Sequence, residues 1–225
     1  MGVIGPNGAG KTTIFNLITG FTAPTHGEIF FEDQKISGLK SYEIARKGIF
    51  RTFQTVHLFP ELTVLENILV GAQLHLESNL LSTALDLPSF RNREARINER
   101  ARSVLELFNI ANLSDSVAGD LAYGTQRILE IARAVAAGPK LILLDEPVAG
   151  MNYEESSILA QTLRRVKQQR DVTIVLVEHD MGFVMNLCDR LVVMNYGKRI
   201  ATGTPDEIKS NPEVVEAYLG SEKAC

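Results

Sequence analysis

The sequence predicts an α/β fold: a mostly parallel sheet covered by helices on both faces, with a helical subdomain inserted at about residues 60–137. Three observations predict it. Apolar Val3-Ile4 runs straight into a glycine-rich turn that ends in Lys11-Thr12-Thr13. Beyond residue 140, short apolar runs alternate with stretches of helical period, as βα units do. Between them the helical period dominates and strand signals fade.

The turn comes first. Gly5-Pro6-Asn7-Gly8-Ala9-Gly10-Lys11-Thr12 matches G-x-x-x-x-G-K-[ST] in full, and Thr13 follows. Glycines let backbone N–H groups turn inward around phosphate oxygens, and a helix start adds a favourable dipole. Ile14, Phe15, Leu17 and Ile18 give the helix an apolar face, and Gly20 stops it. Lys11 would then reach β/γ-phosphates and Thr12 a Mg²⁺ ion. Only residues 1–4 precede Gly5, shorter than an ordinary strand, so the chain is expected to begin in mid-domain.

Residues 27–31 read as a short strand, 41–47 as a short helix and 49–53 as a strand ending at Gln54. Thr63 with Glu66 three residues on forms a capping box, opening a helix over 63–72. Residues 78–90 have no clear period and contain Pro88, so they read as a loop or short helical insertion. Residues 91–108 are an amphipathic helix with Ile97, Ala101, Val104, Leu105 and Phe108 on one stripe. Its arginines alternate with Glu94, Glu99 and Glu106, the pattern of a solvated face rather than a nucleic-acid stripe.

Residues 126–137 are helical and 141–144 form a buried-type strand, followed by Asp145-Glu146. A strand end is where open α/β sheets bind ligands. With the phosphate loop upstream, Asp145 is expected to hold Mg²⁺ directly or through water, and Glu146 to polarise an attacking water. A helix over 154–169 should turn Ile158, Leu159, Leu163 and Val166 inward. The strand at 172–177 leads into Glu178-His179-Asp180, where His179 is placed to sense a γ-phosphate. Gln54, at another strand end, is a Mg²⁺ candidate through its carbonyl. A helix over 181–188, a hairpin turning at 195–198 and a helix over 205–219 broken at Pro212 complete the chain.

Composition narrows the class. The 225 residues are 45% hydrophobic and 22% charged, which excludes disordered and fibrous chains. A net charge of −4 supplies no global field for nucleic acid, and no apolar run is long enough to span a bilayer. Cys188 and Cys225 show no disulfide or metal spacing, which fits a reducing compartment.

In this order the pieces resemble the nucleotide-binding subunit of ATP-binding cassette (ABC) transporters. Residues 5–12 are then the Walker A loop, Gln54 the Q-loop, residues 141–146 Walker B, Ala149-Gly150-Met151-Asn152 the D-loop and His179 the switch histidine. The signature motif reads Leu121-Ala122-Tyr123-Gly124-Thr125-Gln126-Arg127, against the usual Leu-Ser-Gly-Gly-Gln. The missing hydroxyl at Ala122 would pass its role to backbone N–H groups and to the dipole of the helix after Gly124. Leu-Ala-Tyr-Gly, Arg51-Thr52-Phe53-Gln54, Glu178-His179-Asp180-Met181, the insertion around 80–93, Gly203-Thr204-Pro205 and Asn211-Pro212-Glu213-Val214 resemble the ATPases of branched-chain amino acid importers. Urea and short-chain amide importers are relatives of that group, and lipopolysaccharide exporters the nearest transport alternative. A GTPase would carry Asn-Lys-x-Asp, which is absent; DNA- or ribosome-acting ABC proteins carry two cassettes or a coiled-coil insertion, and no heptads occur here.

The resemblance implies a single ATPase domain over 1–225 with a P-loop NTPase core, binding ATP and Mg²⁺ and hydrolysing ATP to power transport. It implies that Gly5 through Thr13 and Gln54 hold one nucleotide, while Ala122, Tyr123, Gly124, Thr125 and Gln126 face the nucleotide of a second, related or identical ATPase subunit. It implies transmembrane permease partners, an indirect substrate-binding protein, no nucleic acid, and a peripheral place on the cytoplasmic face of the membrane. The family's first antiparallel strands and an adenine-stacking aromatic have no counterpart, so the chain is expected to be N-terminally truncated, and an inactive truncated product stays open.

Overall fold

The computed structural model describes residues 1–73 and 88–222, and it divides into two compact units, Met1–Gln54 with Leu141–Cys225, and Thr55–Lys140.

In the first unit, β1 (Gly2–Ile4) leads through the glycine turn into α1 (Lys11–Ile18). A small hairpin, β2 (Phe30–Phe31) and β3 (Gln34–Lys35), stands where a single strand over 27–31 was expected. Its tip residues Glu32 and Asp33 both take positive φ (48° and 59°), the geometry of a tight hairpin turn without the glycine that would announce it. Then come α2 (Ser41–Arg46) and β4 (Ile49–Thr52).

The second unit holds α3 (Val64–Gln73), α4 (Pro88–Leu107) and α5 (Tyr123–Ala136). Thr63 and Glu66 make the expected reciprocal cap, each accepting the other's backbone N–H. The predicted stripe of α4 is buried in full: Ile97, Ala101, Val104, Leu105 and Phe108. A Cβ on Gly71 would lie 2.3 Å from the Arg133 carbonyl oxygen, so only glycine lets α3 approach α5 this closely. Most of the insertion expected at 78–90 lies outside the described residues, which resume as helix at Pro88.

The chain returns with β5 (Leu141–Asp145), α6 (Tyr153–Gln169), β6 (Thr173–Val177), α7 (Met181–Leu187), β7 (Leu191–Asn195), β8 (Lys198–Gly203), α8 (Pro205–Lys209) and α9 (Pro212–Glu222). Asn152 and Glu155 cap α6 reciprocally, and Thr204, Pro205 and Glu207 open α8 in the same way. On α6, Leu159, Leu163 and Val166 face inward as expected, but Ile158 is 43% exposed. The inward stripe runs through Ser156 and Ala160 instead, two residues to either side of the position the apolar pattern favoured.

The six-stranded sheet among the described residues runs β4-β5-β6-β1-β7-β8, parallel except for the antiparallel β7–β8 pair. Val3, Phe15, Ile36, Ile44, Leu143 and Val177 pack into one core on it, each fully buried side chain contributing about 1.5–3 kcal/mol of hydrophobic stabilisation. Parallel order has one consequence for function. It gathers the carboxyl ends of β1, β4, β5, β6 and β7 along one edge, where ligands of such sheets bind. Cys188 is a buried free thiol; Cys225 lies outside the described residues. Among the described residues no helix is long and apolar enough to cross a membrane.

Candidate functional site

The glycine turn leaves β1 at that edge. Gly5 sits at φ 150°, and a Cβ there would lie 2.1 Å from the Met194 carbonyl oxygen of β7, so the loop folds down onto the sheet only with glycine. The tip of the β7–β8 hairpin braces it, Gly197 N–H donating to Ala9 O at 3.0 Å. Gly10 closes the loop in left-handed conformation as the N-cap of α1. The first N–H groups of α1, beginning at Lys11, therefore have no partner within the helix.

Lys11 is buried and curls back across the loop, its Nζ donating to Gly5 O at 2.8 Å and Pro6 O at 3.0 Å. Burial pushes its ammonium below the ordinary value, while the carboxylates of Glu146 and Asp145 pull the other way. Thr12 and Thr13 are exposed on the first turn, as are Asn7 and Gly8 in the loop.

Asp145 ends β5 with a buried side chain. Register brings it to a partner the sequence did not single out for any role: Arg51 of β4 aligns with Leu143, so Arg51 and Asp145 share one sheet face two positions apart. The Arg51 Nη2 to Asp145 Oδ2 distance is 2.7 Å, and the two side chains are 5% and 7% exposed. Arg51 also donates to Asn16 Oδ1 at 2.6 Å and lies over the rings of Phe15 and Phe53.

Glu146, one residue on, takes a positive φ of 48°. Its Oε2 accepts from Gln54 Nε2 at 2.9 Å, and its Oε1 lies 3.1 Å from His179 Nε2. Three predicted residues from three strand ends thus meet at one carboxylate. Beneath them Glu178, 5% exposed, accepts N–H bonds from Val148, His179 and Asp180 at 2.9, 2.8 and 3.2 Å. Its chemistry was invisible in the sequence because nothing local distinguishes it from any acidic residue after a strand.

The second unit carries the signature residues. The sequence puts the helix start at residue 126; α5 begins at Tyr123, with Ala122 as its N-cap (φ −57°, ψ 147°), so Tyr123, Gly124 and Thr125 form its first turn rather than precede it. Ala122 and Tyr123 are exposed and Gly124 is buried. Gln126 turns back and its side-chain amide donates to the carbonyls of Ala118, Gly119 and Leu121 at 3.1–3.3 Å, pinning the preceding turn. Arg127 is fully buried and pairs with Glu130 at 2.7 Å. Glu130 in turn accepts the His57 N–H at 3.1 Å, Arg133 donates to the His57 carbonyl, and buried Asn67 brackets Phe59 with bonds to its N–H and C=O. Burial pushes the Glu130 carboxyl up, with the Arg127 guanidinium pulling it down.

Among the described residues no group of three or more His, Cys, Asp or Glu side chains could hold a metal alone. Thr12, Gln54 and Asp145 offer hard oxygen donors with a single carboxylate. That suits Mg²⁺, which takes one or two carboxylates together with substrate phosphates rather than an all-protein cage.

The family description "ABC transporter" matches residues 1–149, and "Branched-chain amino acid ATP-binding cassette transporter" matches residues 198–224. The high-affinity branched-chain amino acid transport ATP-binding protein BraF of Pseudomonas aeruginosa is 47% identical over 97% of this chain and 86% of its own length. LivG of Escherichia coli K12, described in the same words, is 46% identical with the same coverage. Among solved structures, the ADP conformation of an ATP-binding cassette of an ABC transporter superposes with a TM-score of 0.80 at 36% identity, covering 97% of this chain and 87% of that one.

Proposed function

The chain belongs to the ABC transporter family of ATP-binding cassettes and is an ATPase coupled to transport, and from that premise we propose that it powers an importer of branched-chain amino acids. The observation that carries the reading is the meeting of Gln54, Glu146 and His179 beside Lys11 at the strand ends, in a chain matched along 97% of its length by branched-chain amino acid transport ATP-binding proteins.

The residues act as follows. The phosphate loop, Gly5 through Thr13, cradles the triphosphate with its N–H groups, and Lys11 exchanges the carbonyls of Gly5 and Pro6 for β/γ-phosphate oxygens. Those carbonyls hold the ammonium in place beforehand, so little reorganisation is needed. Thr12, Gln54 and Asp145 hold Mg²⁺, with Arg51 fixing the Asp145 carboxylate from behind. The metal supplies Lewis-acid charge on the phosphate oxygens when bound with the nucleotide. Glu146 takes the proton of the attacking water, and His179 contacts the γ-phosphate and orients that water. Gln54 donates to Glu146 and stands at the exit of β4, so its position reports the state of the site to the residues that follow.

ABC ATPases of importers work as dimers with transmembrane permease subunits. Here the N-cap and first turn of α5, with exposed Ala122 and Tyr123 followed by Gly124, Thr125 and Gln126, meet the nucleotide of a second ATPase subunit. ATP binds the closed dimer more tightly than the open one, and that difference shifts the population toward closure. The transported amino acid passes through the permease and a substrate-binding protein delivers it, so it does not touch this chain, which sits on the cytoplasmic face. The test is reconstitution of the chain with its permeases in vesicles. ATP-dependent uptake of leucine, isoleucine or valine supports the reading, and uptake of urea or a short amide in their place overturns it.

A further inference from the structure

Glu146 holds a conformation that a residue with a Cβ rarely adopts: φ 48°. Such strain persists only where the surroundings over-determine it. Two contacts from the end of β6 do so. Val177 O accepts the Glu146 N–H at 2.9 Å, and Glu178 Oε1 accepts the Val148 N–H at 2.9 Å, so the loop is tied at Glu146 and again two residues later. The other oxygen of the same carboxylate, Oε2, takes the N–H groups of His179 (2.8 Å) and Asp180 (3.2 Å), and Asp180 Oδ1 then caps α7 through the Phe183 N–H at 2.9 Å. One buried side chain therefore grips both loops from which Glu146 and His179 reach each other at 3.1 Å.

We propose that Glu178 is a positioning residue for hydrolysis: its carboxylate locks the loop carrying Glu146 to the loop carrying His179, and so sets the distance between them. This rests on the reading of Glu146 and His179 given above. A glutamine has only one acceptor oxygen and would turn an N–H₂ group toward either the Val148 N–H or the N–H groups of His179 and Asp180, so it can hold one loop but not both. An aspartate keeps the charge but is one methylene too short to span them.

The experiment measures steady-state ATP turnover in the assembled transporter, and ADP affinity and thermal midpoint of the chain, for Glu178→Gln, Glu178→Asp, His179→Ala, Glu146→Gln and the pair Glu178→Gln/His179→Ala. Both Glu178 variants are expected to lose roughly 10- to 100-fold in kcat while ADP affinity stays within about twofold, since misplacement acts on the reacting geometry and not on the phosphate loop. In the His179→Ala background the Glu178→Gln factor is expected to shrink by about threefold or more, because part of what it positions is gone. An equal factor in both backgrounds, a parallel loss of ADP affinity, or wild-type turnover in Glu178→Asp overturns the proposal. If Glu178→Gln does not fold, the Glu178→Asp result decides by itself. If His179→Ala and Glu146→Gln turn over like wild type, the assignment of those two fails and the inference falls with it. If they are slow and the Glu178 variants are fast, only the inference fails.

Discussion

Removing the Arg51 guanidinium is the sharpest test of how the sheet prepares Asp145. In Arg51→Met the apolar stem keeps much of its packing between Phe15 and Phe53, but Asp145 loses its partner at 2.7 Å in a site where both side chains are less than a tenth exposed. Breaking a buried pair from one side costs about 3–5 kcal/mol, because the remaining charge stays buried without the guanidinium that matched it. In a chain of this size each kcal/mol moves the thermal midpoint by about 2–4 °C, so a fall of about 6–20 °C is expected. The loss of the 2.6 Å bond to Asn16 is contained within that range. Two further measurements isolate the charge. Adding Asp145→Asn should recover a large part of the loss, since a neutral side chain needs no counter-charge. Mg²⁺ with ADP should raise the midpoint of Arg51→Met more than that of wild type, because a cation then replaces the missing guanidinium. The assay is thermal unfolding in chelator and in Mg²⁺-ADP for wild type and both variants. A midpoint for Arg51→Met within about 2 °C of wild type would refute the reasoning, since it would place the net worth of the pair below about 1 kcal/mol.

Glu146→Gln should bind ATP normally yet hydrolyse it about 10²–10⁴-fold more slowly, accumulating as a nucleotide-bound dimer on size-exclusion chromatography. Lys11→Ala should weaken ATP binding about 10- to 100-fold by the loss of charge-assisted contacts, whereas Arg96→Ala on the solvated face of α4 should leave titrations unchanged. Glu130 gives a pH signature: with its folded pKa raised above the unfolded value of 4.5, the folded state holds the extra proton, so its contribution is present below pH 4.5 and declines as pH rises through the folded value. Glu130→Gln should therefore lack that part of the decline when midpoints are followed upward from pH 4.5; identical profiles would count against a buried, desolvated carboxyl.

Much of this molecule is written in short stretches of sequence. The phosphate loop is legible because glycines at fixed positions, a lysine and a hydroxyl are needed together, within eight residues, for one job. The helix α3 announces itself because Thr63 with Glu66 caps it through bonds that span three residues, and the structure shows the same local device in Asn152 with Glu155 at α6 and Thr204 with Glu207 at α8. The strand ends at Asp145 and His179 follow from apolar runs that stop at polar residues. Elsewhere the local pattern was insufficient. Ile158 fits an inward stripe by period, but which arc of α6 faces the sheet depends on the neighbours it packs against. The β2–β3 hairpin turns on Glu32 and Asp33, whose positive φ angles no residue type there advertises.

The sequence by itself determined the candidates for the proposed chemistry: Lys11, Thr12, Asp145, Glu146 and His179 stand out by type and position, and Gln54 by the resemblance. Only the tertiary structure decided what holds them. Arg51 and Asp145 lie 94 residues apart, Gln54 and Glu146 92, and Val148 and Glu178 30. Those pairs exist because β4 lies beside β5 and β5 beside β6 in a particular register. Strand order and register are set by how whole faces bury against one another, and a shift of one residue would turn Arg51 to the opposite face from Asp145.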